Sequence, residues 1–153
     1  MNEMILLVAF FLLSVSPNEA LLNKVRSNYD VFLSNKDLCQ ATISELEKKK
    51  NESETFLGYL GALQTINASH VFNPITKLKT FNKGKQNIES AIKADPNNIE
   101  LRFIRLSVQK NAPAFLGYNA RINEDITFIN NNRQQIESEF LRKNIELLFE
   151  NKN

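Results

Sequence analysis

Arg102, Arg105 and Gln109 stand three and four residues apart, so on a helix turning 100° per residue they share an arc of about 60°. Two guanidinium forks and an amide on one stripe suit the capture of an anion or a peptide carboxylate. The same donors suit internal pairing with Glu124 or Asp125 further along the chain, because arginines set among apolar neighbours usually find carboxylates. His70, the one histidine, lies in the stretch Asn67–Pro74 directly after Ser69. A hydrolase would need that hydroxyl and the imidazole to face each other; adjacent residues rarely do, and no nucleophile-elbow glycines flank the serine. Val71 and Phe72 are expected to pin this loop to the core, with the imidazole satisfied inside it.

Composition removes most other chemistry. One cysteine, Cys39, permits no internal disulfide and no CxxC site, and is expected to pack as a small apolar residue. One histidine leaves no multi-histidine metal centre, and four scattered glycines leave no phosphate-cradling loop or dinucleotide fingerprint. No cofactor and no metal are expected. A net charge of +2 gives no footprint for nucleic acid. Lys77, Lys79, Lys83 and Lys85 spread around their helix with no aromatic stacking surface beside them, as on a solvated face.

The elements that must position these residues read as helices throughout, broken by Asn, Pro and Gly, with no sustained period-two pattern. In a first helix from Leu21, one arc of about 120° holds Leu22, Val25, Tyr29, Phe32 and Leu33. A second, capped by Ser34 or Asn35, carries Leu38, Cys39, Thr42, Ile43 and Leu46. The third, from Ser53 to about Asn67, is apolar or glycine at every position from Phe56 to Leu63. Its Gly58, Gly61 and Ala62 form a small face, which predicts a neighbouring backbone at close range and a helix covered on both sides. A fourth helix follows Pro74 and runs to Ala94, and the fifth is capped by Asn98. A short helical piece spans Ala114 to Tyr118. The run Asn130–Asn132 reads as a turn before a last helix from Gln134 to Glu150.

Ahead of all this, Met4 to Val15 form an apolar stretch of about a dozen residues, shorter than the roughly 20 that cross a bilayer and matched to a signal-peptide core. Residues 1–20 are therefore expected to be a leader, with cleavage after Ser16 or after Ala20. Residues 21–153 would then be a single domain, periplasmic or secreted, with no membrane span once the leader is removed.

The first, third and fifth helices begin about 33 and 45 residues apart, near the 34-residue tetratricopeptide period with an insertion at Asn67–Thr76. Gly84, Ile88, Ala91 and Pro96 keep the spacing of a tetratricopeptide second helix, and Ala91–Glu100 resembles the turn joining consecutive repeats. Arg102 and Arg105 depart from the large apolar residues that family prefers. A second resemblance, carried by Tyr59–Thr65, His70–Phe81, Arg102–Gln109 and Pro113–Tyr118, is to a family of small exported helical proteins of Bacteroidetes-type bacteria with no assigned activity. The second resemblance implies export and a helical fold and carries over no catalytic residue; the tetratricopeptide resemblance implies an all-α fold of stacked antiparallel helical hairpins whose alternate helices line a groove. By that analogy Arg102, Arg105, Gln109, Gln64, Asn67 and His70 are the candidate binding residues for a peptide or protein partner. The expected function is a non-enzymatic binding or scaffold module; the alternatives are a small hydrolase using the His70 loop and a purely structural accessory subunit.

Overall fold

The computed structural model describes residues 15–151. The expected leader lies outside the described residues as far as Ser14. The described chain is all-α: α1 (Pro17–Ser27), α2 (Lys36–Lys49), α3 (Glu54–Ala68), α4 (Pro74–Ala94), α5 (Ile99–Asn111), α6 (Ile122–Asn132) and α7 (Glu139–Glu150), with short 3-10 turns at Ala114–Leu116 and Arg133–Gln135. No strand occurs among the described residues, and none of their helices is long and apolar enough to cross a membrane.

Local chemistry fixes most helix starts. Side-chain oxygens of Ser16, Asn35, Ser53, Asn73, Asn98 and Ser138 accept backbone N–H groups two or three residues ahead. Each such cap is worth about 1 kcal/mol.

Several boundaries differ from the sequence expectation. α1 begins at Pro17 rather than Leu21 and ends at Ser27 rather than beyond Leu33, because Asn28 turns its amide back onto the Lys24 carbonyl at 2.8 Å. Tight turns follow, so Phe32 is fully buried while Leu33 faces solvent. The Asn130–Asn132 run is the last turn of α6, its end held by Asn132 bonding the Phe128 carbonyl at 2.8 Å. The final helix starts at Glu139, where Ser138 supplies the cap, and not at Gln134.

α3 is the centre of the molecule: Phe56 and every residue from Gly58 to Thr65 are buried. At Gly61 it meets α4 in the most extensive helix contact of the fold. A Cβ built on Gly61 would lie 2.5 Å from the Gly84 carbonyl oxygen and 2.9 Å from the Ile88 nitrogen, so only glycine lets these backbones meet. α2 also packs against α3. α5, buried from Phe103 to Gln109, contacts α3, α4, α6 and α7. α1 lies against α7, where Asn144 donates to the Arg26 carbonyl at 2.8 Å, so the two ends of the described chain meet.

Candidate functional site

The arginine stripe sits on α5, where α6 faces it. Arg105 makes a two-pronged bond to Asp125, Nε to Oδ2 and Nη2 to Oδ1, both at 2.7 Å. Its Nη1 donates to Glu89 at 3.2 Å, and Tyr118 donates its hydroxyl to the other Glu89 oxygen at 2.6 Å. Arg102 donates to the Pro96 carbonyl through Nε and Nη2, and to Glu124 and Asp125 through Nη1 at 2.9 and 3.2 Å. Its guanidinium lies over the Phe128 ring, 4.8 Å from the centroid. Asp125 is completely buried and Arg105 nearly so. Burial alone would lower the Arg105 guanidinium, but the bonds and charge of Asp125 more than offset it and raise it above its ordinary value. Of the two uses the sequence allowed, the geometry here is the internal one, a carboxylate cluster joining α4, α5 and α6.

The remaining candidates do not converge on these arginines. Gln109 is buried with its Oε1 unpartnered. Gln64 bridges two neighbours, donating to Glu47 of α2 at 3.3 Å and accepting from Asn87 of α4 at 2.7 Å. Asn67 accepts from Gln40 at 3.4 Å. His70 Nε2 lies 3.4 Å from the Phe32 carbonyl, while the Ser69 hydroxyl donates to the Ile66 carbonyl at 2.7 Å. That hydroxyl and imidazole are each directed at backbone, not at one another. Phe72 does not pin the loop: its side chain is fully exposed.

A second buried ion cluster escaped the sequence reading. Arg26 clamps Glu100 through Nε and Nη2 at 2.7 and 2.8 Å, and Tyr59 donates to the same carboxylate at 2.6 Å. Burial first, then the charge and bond of Glu100, push the Tyr59 hydroxyl well above its usual range. The signal was present: Leu22, Val25 and Arg26 share the i, i+3, i+4 stripe of α1, which puts an arginine on an inward face.

The open concavity lies elsewhere, at the C-terminal ends of α3, α5 and α7, closed on one flank by the first turns of α4. It encloses about 810 Å³. Ile66, Phe81, Phe103, Val108 and Leu148 supply apolar surface, and Leu33, Leu78, Phe115 and Leu147 form a rim that is itself exposed. Most of its polar side chains are already used. Thr65 and Ser107 donate to carbonyls of their own helices, Asn111 to Ser107 and Asn144 to Arg26. Tyr29 Oη and Ser107 Oγ share one hydrogen bond of 2.7 Å. Sequence periodicity could not find this groove, because Leu33 falls on an arc of the first helix that reads as buried.

Comparison with protein-family models, with curated proteins and with solved structures finds no match for this chain.

Proposed function

We propose that the protein is an exported, non-enzymatic binding module, built on an irregular, tetratricopeptide-like stack of helical hairpins, that holds an apolar segment of a polypeptide partner in the groove at the ends of α3, α5 and α7. The observation that carries this reading is the apolar concavity of about 810 Å³ together with its exposed apolar rim. The volume lies within the range of ligand sites, roughly 300–1,000 Å³. The rim argues for a polypeptide over a small molecule. A small molecule seated inside would leave Leu33 and Phe115 at the rim in water, whereas a chain crossing the mouth covers them. Burying one such side chain stabilises by about 1.5–3 kcal/mol, so Leu33 and Phe115 alone supply enough to matter in binding. Groove hydroxyls and amides committed to internal bonds support recognition by shape over chemistry on a bound substrate. Export, to the periplasm or beyond the cell, rests on the apolar leader at residues 4–15.

A photo-crosslinking amino acid at Leu78, used in the intact envelope of the cell that makes the protein, tests the groove. The expected result is a defined polypeptide adduct from position 78 and none from exposed Lys93. Equal labelling from both positions, or none from Leu78, overturns the reading.

A further inference from the structure

Resting on that reading of the groove, we propose that the polypeptide filling it is a second copy of this chain, turned about a two-fold axis so that the two grooves face each other. A two-fold interface is made of one patch meeting itself, so the patch must carry both halves of every contact. This face does so in shape: the concavity is a receptacle, and Leu33 and Phe115 at its edge are largely exposed side chains that can enter the facing one.

It also does so in charge. The charged residues lining the groove are Asp30, on the turns after α1, and Lys77, on the first turn of α4. Both are exposed, and among the described residues neither side chain has a hydrogen bond or an ion pair. One free acid and one free base on a single patch become, across a two-fold, two reciprocal pairs: Asp30 of each protomer with Lys77 of the other. A partner of one charge sign would be attracted by one of these residues and repelled by the other. An anionic amphiphile would meet Asp30 as well as Lys77.

Sedimentation equilibrium of the protein, as its own cell processes it, tests this between about 1 μM and 1 mM, the range of modest protein–protein affinities. A monomer–dimer equilibrium is expected. Asp30→Lys and Lys77→Asp each put like charges at both reciprocal contacts, and each alone should weaken dimerisation about tenfold or more. Mixing the two variants should restore it, since opposite charges then meet at both contacts, a recovery that no effect within one chain can produce. Circular dichroism melting checks that each variant is folded. A parent that stays monomeric, variants that pair as the parent does, or a mixture no tighter than its components overturns the proposal. Should the parent be monomeric while Leu78 still cross-links a different polypeptide, the groove reading stands and the second copy falls. A monomer that gives no adduct removes both.

Discussion

Arg105 and Asp125 meet far inside the molecule, and the cost of separating them follows from where they lie. A buried ion pair contributes little net stability over an apolar pair of the same volume, yet removing one partner strands the other charge away from water. Arg105→Ala should therefore destabilise by about 3 kcal/mol in urea denaturation, the lower end for a stranded buried charge, because Asp125 keeps only its 3.2 Å bond from Arg102. Replacing the pair together, Arg105→Met with Asp125→Leu, should recover most of that loss. A single-variant loss below about 1 kcal/mol, the value of a surface pair, would contradict the buried geometry. The arginines were legible in sequence as a stripe, and so was the pairing option, because Glu124 and Asp125 stood out as carboxylates near the next helix. What remained open was which anion they would meet. Arg105 and Asp125 are 20 residues apart in the chain, so the choice depends on how α6 docks on α5.

Helices were the most legible elements, because their boundaries come from hydrogen bonds within about four residues. Pro74, Asn98 and Ser53 announced starts that the fold keeps. The glycine face of α3 likewise predicted a close neighbour without saying which one. Its glycines now separate into two kinds. At Gly61 the obstruction to a methyl group is backbone, the Gly84 carbonyl and the Ile88 nitrogen, while at Gly58 it is the flexible ends of Leu101 and Ile104. Gly61→Ala should therefore cost about 1–3 kcal/mol by overpacking, at the upper end of that range. Gly58→Ala should cost less, since Leu101 can change rotamer and alanine favours the helix by about 1 kcal/mol. Thermal melts of both variants check the order; a Gly58→Ala protein less stable than Gly61→Ala would mean that the α3–α4 crossing is not the tight contact. Boundaries failed where long-range packing competed with periodicity, as in the turns after α1, where Phe32 is drawn into the core and Leu33 is left outside.

Taken whole, the molecule ties its distant parts through tyrosines. Tyr29 bonds Ser107 of α5, Tyr59 bonds Glu100 at the start of α5, and Tyr118 bonds Glu89 of α4. The Tyr29 hydroxyl is pushed up to about 12 by desolvation, with the Ser107 bond opposing. Burial first, and then an adjacent carboxylate, raises Tyr59 and Tyr118 as well. A tyrosine whose folded value exceeds its unfolded value near 10 adds stability that is complete below about pH 10 and is lost as pH rises through the folded value. These are the only tyrosines in the chain, so tyrosinate absorbance should stay flat past pH 10 and then rise together with loss of helical circular dichroism, in one step. Gradual ionisation near pH 10 with the helices intact would contradict their burial. By itself the sequence determined the all-α class, most helix starts and the central place of α3, since caps and periodicity act over a few residues. Only the tertiary structure decided that Arg26 reaches Glu100 across 74 residues, that the arginine stripe is turned inward, and that the open apolar surface gathers at the ends of α3, α5 and α7. The reason is physical: a side chain's exposure is set by what packs over it, and its own helix does not carry that information.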